Sequence, residues 1–346
     1  MGSRTRRSRK KRGPAAAANL LGLFLLLLLA AGGAAWWMLT PFGPTTETFV
    51  DVAPGTSTLR IGRQLEEAGV VRSQYAFYAL RWFQRGTLRA GDYRFDHPAT
   101  PIEVYKRIAR GDVFTIALTV PEGSNIFDIA TRVEEAHLGK RDDFLQAAAG
   151  DTTLVNDLDP GAVSLEGYLF PDTYRFAPNV TSEAILEAMV RRFRAVAEEL
   201  NLKENVHRIV TMASLIERET AVDSERPVVA SVFQNRLNKK MALMTDPAVI
   251  YGLELEGRWQ GKIYESDLKR DTAYNTYLHA GLPPGPIANP GIPSLRAAMQ
   301  PAPSNYLYFV AAGRDPQGHS MFSTSLDEHS RNVDGYRKAE KRTGVR

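Results

Sequence analysis

Cysteine is absent from all 346 residues, which suits an oxidising compartment where stray thiols would mispair. Histidine is scarce. His97, His137, His207, His279, His319 and His329 never fall four apart on one helix, so the spacing supports no zinc site. Three common catalytic signatures are also missing. Without G-x-S-x-G, G-x-x-x-x-G-K-[ST] or G-x-G-x-x-G, acyl-hydrolase, P-loop and dinucleotide-binding readings have no motif behind them. No basic patch is interleaved with aromatics, which sets nucleic-acid binding aside.

Charge is absent from Gly13 to Leu39, and this absence is the most informative. A bilayer core takes about 20 apolar helical residues, so the run around Leu20–Leu29 predicts a membrane-spanning helix over 19–39. Residues 1–18 form a basic tail in which Arg4, Arg6, Arg7, Arg9, Lys10, Lys11 and Arg12 face no acid. Such cations stay on the cytoplasmic side of the inner (cytoplasmic) membrane, and Trp36-Trp37 suit the far interface. The tail also explains the net charge of +4, since the remaining chain holds 36 basic against 39 acidic residues. A cleaved signal peptide is the rival reading, with the small residues Ala30–Ala34 as a cleavage site. Signal-peptide apolar regions are shorter, about 7–15 residues, and apolarity here continues through Met38, which favours a retained single-pass anchor.

Beyond the anchor and the short Pro41–Thr46 linker, enough chain remains for two domains of α+β class. A faint repeat marks the first, placed at 47–160. Phe49-Val-Asp-Val-Ala-Pro-Gly55 leads into an amphipathic segment ending Glu66-Glu67-Ala68; Ile116-Ala-Leu-Thr-Val-Pro-Glu-Gly123 leads into another ending Glu134-Glu135-Ala136. Each copy predicts a strand, a glycine turn and a helix. Such units resemble LysM-like carbohydrate-binding modules; a plain structural spacer reads the pattern equally well. Gly91–Phe95 predicts a strand and Pro101–Arg110 a helix. In the second domain, 161–346, a loop over Gly161–Tyr174 precedes helices over Ser182–Leu200, Asn205–Thr220 and Glu225–Asn238, the last with Ser224 as N-cap and Pro227 in its first turn. A strand over Tyr306–Ala311 and a helix over Glu328–Lys341 close the chain.

What chemistry remains is carboxylate-centred. At 100° per residue, Ile209, Met212, Ala213 and Ile216 share one helix face, Arg218 points away, and Glu219 falls on the rim of the apolar face at the last turn. A carboxyl there is partly desolvated, which raises its pKa toward what a general acid needs. Glu217 is the runner-up, and solvated decoration at a helix end is the bland alternative.

Met212-Ala-Ser-Leu-Ile-Glu-Arg-Glu-Thr220 resembles the catalytic motif of the endolytic murein transglycosylases, the MltG or YceG-like family. Further blocks resemble the family in order: Leu165-Glu-Gly-Tyr-Leu-Phe-Pro-Asp-Thr-Tyr174, Val229-Ala-Ser-Val-Phe-Gln-Asn-Arg-Leu237, Thr245-Asp-Pro-Ala-Val-Ile-Tyr-Gly252, Ala273-Tyr-Asn-Thr-Tyr277 and Gly281-Leu-Pro-Pro-Gly-Pro-Ile-Ala-Asn-Pro-Gly291. Segments at Pro301–Val310 and His319–Phe322 complete the set, so the likeness runs from Phe49 to Tyr336. The Arg-rich tail is longer than the family pattern.

The resemblance implies a lyase, a lytic transglycosylase of the bacterial cell wall. It would cut the β-1,4 bond between N-acetylmuramic acid and N-acetylglucosamine within peptidoglycan strands, leave 1,6-anhydro ends, and terminate or process nascent strands. Glu219 takes the catalytic position; no metal and no organic cofactor is required. Glycan strands and the membrane are the implied partners, with peptidoglycan synthases implied by family alone. Glu166, Asp246, Tyr251, Tyr274, Asn275 and Tyr277 are candidate sugar-binding groups, each with the alternative of a core tyrosine or a turn-capping polar residue. The Pro/Gly run at 281–291 predicts a rigid loop at the cleft edge. Two other functions stay open: a muramidase using Glu219 with Asp246 or Glu166, and a non-catalytic peptidoglycan-binding or division-scaffold membrane protein.

Overall fold

A computed structural model of the chain describes residues 14–84, 86–150, 152–312 and 318–343. Most of the basic tail, residues 1–13, lies outside the described residues. The chain divides into two compact units at Thr115/Ile116.

The first unit opens with helix α1 (Pro14–Leu39), whose span Leu21–Leu39 is long and apolar enough to cross a membrane. Strand β1 (Thr48–Val52), helices α2 (Thr58–Glu67) and α3 (Gln74–Phe83), strand β2 (Gly91–Phe95) and helix α4 (Pro101–Arg110) follow. Antiparallel pairing of β1 with β2 closes a strand–helix–helix–strand unit over a core of Ile61, Leu65, Phe77, Tyr93, Tyr105 and Ile108. Local signals set the ends of α4. Thr100 and Glu103 form a reciprocal capping box at its start, and Gly111, at φ 74°, takes the left-handed position that stops it.

The second unit repeats this plan before departing from it. Strand β3 (Ile116–Thr119), helices α5 (Ile126–Glu135) and α6 (Arg141–Gly150) and strand β4 (Thr173–Phe176) again close as an antiparallel pair. The faint sequence repeat is therefore longer than its strand and first helix: each copy carries a second helix and a return strand. The expected domain boundary after residue 160 falls inside this unit. Leu118, Ile129 and Val133 share one core with Tyr168, Ile185, Met189 and Phe193, so the second repeat cannot be cut from the helix that succeeds it. Nor is 161–174 all loop, since Thr173 and Tyr174 begin β4.

The remaining elements are α7 (Ser182–Glu199), α8 (Val206–Glu219), α9 (Arg226–Asn238), α10 (Asp246–Leu255), a short α11 (Glu265–Leu268), α12 (Ile292–Met299), the hairpin β5 (Tyr308–Ala311)–β6 (Ser320–Ser323) and α13 (Leu326–Thr343). Ser224 does not cap α9; it lies in a one-turn 3₁₀ segment, Asp223–Glu225, that runs directly into the helix. Helix α8 is the spine. Val206, Val210 and Ala213 belong to the core shared with α7, whereas Met212, Leu215 and Ile216 belong to a second core with Val229, Phe233, Ala248 and Tyr251. The helix is thus buried on nearly every side from Val210 to Ile216 rather than along one stripe. Its last turn, beyond that buried run, carries Glu217, Arg218 and Glu219.

Candidate active site

Helix α8 stops at Glu219 because Thr220 turns to an extended conformation, φ −141° and ψ 133°. The two acids of the last turn meet different fates. Glu217 Oε1 is 2.6 Å from Arg226 Nη1, and the Gly291 N–H donates to Glu217 Oε2 at 3.0 Å. Both side chains of that ion pair are almost sealed, at 5% exposure for Glu217 and 6% for Arg226. A carboxylate so engaged holds structure.

Glu219 instead enters a cavity of about 430 Å³. Helix α9 contributes Phe233 and Arg236, the start of α10 contributes Asp246, and Tyr277 stands beside them. Tyr308 from β5 and His329 from α13 line it as well. Burial pushes the Glu219 carboxyl up to about 7; the Asp246 carboxylate adds to the rise, while the Thr245 hydroxyl and the Arg236 guanidinium oppose it. The group is therefore balanced between acid and base near neutral pH, the condition under which one side chain can both give and take a proton.

The surroundings are rigidly held. Tyr277 donates its hydroxyl to Asp246 Oδ1 at 2.6 Å, joining two sides of the cavity. Arg236 donates through Nε to the Leu307 carbonyl (2.7 Å) and through Nη1 to the Leu243 carbonyl (2.7 Å), and its guanidinium stacks on Tyr308 at 5.2 Å. His329 stacks on the same Tyr308 ring at 5.2 Å, with 21° between planes. Its Nδ1 is buried without a hydrogen-bond partner, and burial together with Arg236 lowers its pKa. Among the described residues no group of three or more His, Asp or Glu side chains is arranged to hold a metal ion.

Of the residues expected to touch sugar, Asp246 and Tyr277 line this cavity with Glu219. The other four lie in the interior. Glu166, 1% exposed, accepts from the Ile126 N–H at 2.9 Å and from Asn289 Nδ2 at 2.8 Å, and burial raises its pKa to about 8. Tyr251 packs between Phe127 and Tyr274. Asn275, fully buried, donates to the carbonyls of Leu268 and Arg270 and accepts from the Tyr277 N–H, so it shapes the turn that presents Tyr277.

The Pro/Gly loop 281–291 is pinned against the back of α8 and lines none of the cavity. Ile287 N–H donates to Ser214 Oγ, Pro284 O lies 3.0 Å from His207 Nε2, and Asn289 bridges Glu166 and the Leu169 N–H. Gly167 admits this contact: at φ 88°, a Cβ there would sit 2.5 Å from Pro286 Cγ and 2.8 Å from Val210 Cγ1. Arg236, Tyr308 and His329 were not among the sequence candidates. Arg236 had a legible signal, a cation on the face shared by Val229 and Phe233. Tyr308 and His329 reach the site through a hairpin and a helix far along the chain.

Comparison with known proteins agrees with the motifs. The model of the YceG-like family matches residues 50–335. An endolytic murein transglycosylase of Bacillus subtilis is 34% identical over 314 residues, covering 84% of this chain and 85% of the relative. One from Streptococcus pneumoniae is 30% identical over 327 residues, covering 82% of this chain and 57% of the longer relative. The crystal structure of a yceG-like protein from Listeria monocytogenes superposes with a TM-score of 0.54 at 32% identity, covering 83% of this chain and 99% of that one. On this likeness along most of its length, the chain belongs to the YceG-like family.

Proposed function

We propose that the protein is a membrane-anchored endolytic lytic transglycosylase that cuts the MurNAc-β-1,4-GlcNAc bond within peptidoglycan strands and leaves 1,6-anhydro-MurNAc ends. The observation that carries this reading is Glu219, a carboxyl poised near pH 7 in a cavity of mixed polar and apolar lining. Protonated Glu219 gives its proton to the glycosidic oxygen as the C1–O bond breaks and positive charge builds on the muramyl ring. Arg236 stabilises the carboxylate left behind, and the Asp246 charge favours the cationic ring. The Glu219 carboxylate then takes the proton from the C6 hydroxyl of the same sugar, whose oxygen closes on C1. No water enters, so no second carboxylate is needed to hold one.

A muramidase is the second reading, and one observation favours it: Asp246 is a second carboxylate in the cavity. Glu166, the other candidate for that role, is spent on Ile126 and Asn289. Mass spectrometry of ends released from murein sacculi separates the two. Anhydro ends, lighter by one water, support the transglycosylase; hydrated reducing ends would replace it with the hydrolase.

The anchor α1 supports residence in the bacterial inner membrane with the bulk of the chain outside the cytoplasm, Glu219 acting on strands made near that membrane. Termination of nascent strands beside glycan-polymerising enzymes follows from that location. The paired strand–helix–helix–strand repeats, which run from β1 to β4, support LysM-like glycan binding by this part of the chain.

A further inference from the structure

Helix α3 presents an outer face unlike its neighbours. Phe77 and Leu80 fill the core of the first unit, but the opposite side shows Tyr75 at 69%, Trp82 at 81% and Phe83 at 80% exposure, with Tyr78 half-buried between them. Arg81 is the sole charge in the helix. In the same unit α2 turns Arg60, Arg63 and Glu67 outward, and α4 turns out Glu103, Lys106 and Arg110. The corresponding helix of the second repeat, α6, exposes Asp142, Asp143 and Gln146. An aromatic outer face is therefore no requirement of the repeat. It occurs in the copy next to the membrane helix.

The two helices are tied together. Arg72, just before the Ser73 N-cap of α3, donates through Nη1 to the Trp37 carbonyl (2.6 Å) and to Thr40 Oγ1 (2.7 Å). Its guanidinium stacks on Trp37 at 4.7 Å and Phe42 at 4.8 Å. The start of α3 is thus fixed at the outer end of α1. A spanning α1 sets Trp36, Trp37 and Arg72 at headgroup depth, and α3 begins there. Trp, Tyr and flanking cations are the residues that settle at a membrane–water boundary, and a helix of this composition lies in it. A sugar face would need free amides or carboxylates among its rings; Gln74, the one amide of α3, is bonded to Glu66 at 2.8 Å.

We propose that Tyr75, Tyr78, Trp82 and Phe83 dock the outer face of α3 on the headgroup–acyl boundary of the bilayer that α1 crosses, giving the first unit a second membrane contact. This rests on the anchor reading of α1. The test uses the full chain with Trp36→Phe, Trp37→Phe and Trp259→Phe, leaving Trp82 as the lone tryptophan, reconstituted in phosphatidylcholine–phosphatidylglycerol vesicles. With brominated acyl chains, Trp82 emission should fall by about half, as expected for a ring seated about 5–10 Å into the boundary, and aqueous iodide should not reach it. A chain that floats with the vesicles while Trp82 stays unquenched and open to iodide overturns the docking and leaves the anchor standing. A chain that does not float overturns both. Shielding of Trp82 from iodide only on addition of soluble glycan strands makes the stripe a sugar face and overturns the proposal.

Discussion

Glu217 Oε1 lies 2.6 Å from Arg226 Nη1, and this sealed pair separates the two acids of one helical turn into a strut and a reactive group. Its removal should damage the fold more than the chemistry. Glu217→Gln takes from the buried Arg226 guanidinium one of its two carboxylate partners, leaving Asp223 at 3.0 Å, a loss of about 1–3 kcal/mol, to be read by urea unfolding. The folded fraction should still digest sacculi. A variant of normal stability that cuts nothing would move the catalytic role to Glu217.

The position of Glu219 carries a pH signature. Its carboxyl is protonated below about 7, so the acid form disappears as pH rises through that value. Cleavage should hold steady at mildly acid pH and fall about tenfold per unit above 7. Stability should track the same titration. A raised folded pKa stabilises the fold below the unfolded value, and that advantage is lost as pH climbs to about 7. Glu219→Gln escapes the loss, so it should be more stable than wild type at pH 8, by about 3 kcal/mol, with the gap closing toward pH 4. Chemical denaturation at the two pH values checks this.

Asp246 tunes that signature. After burial, its charge is the influence that raises the Glu219 pKa. Asp246→Asn keeps an oxygen for the Tyr277 hydroxyl and removes the charge, so the alkaline limb of the pH–rate profile should move to lower pH. An unmoved limb would place Asp246 outside the electrostatics of the site.

Glu166 should behave as a scaffold. Glu166→Ala leaves the Ile126 N–H unpaired in the interior and takes one of the two acceptors from Asn289 Nδ2, which keeps the Ser124 carbonyl, at about 1–3 kcal/mol for each buried N–H left without a partner. Differential scanning calorimetry should record the loss. Unchanged stability with a raised KM for glycan would make Glu166 a substrate contact instead.

Local pattern reaches Glu219 and its neighbours only part of the way. The apolar wheel of α8 places Glu219 at the rim, yet it cannot show that two cores flank the helix, because Phe193 and Tyr251 reach it from different parts of the chain. Helix α3 is not legible because its apolar residues circle the helix and hide the 3.6-residue period. Chemical type selects six polar partners for the sugar, but Asn275 and Asp246 look alike in sequence while one closes a turn and the other faces a cavity. Tyr308 and His329 join the site through β5 and α13, contacts that no spacing near Glu219 encodes.

The most direct measurement is the rate at which purified full-length Glu219→Gln digests murein sacculi, beside wild type at a pH of about 6.5, where the acid form prevails. General acid–base catalysis contributes about 10²–10⁴ in rate, so digestion should fall at least about 100-fold while the variant stays folded. Digestion by Glu219→Gln at the wild-type rate would contradict the assignment of the chemistry to this carboxyl.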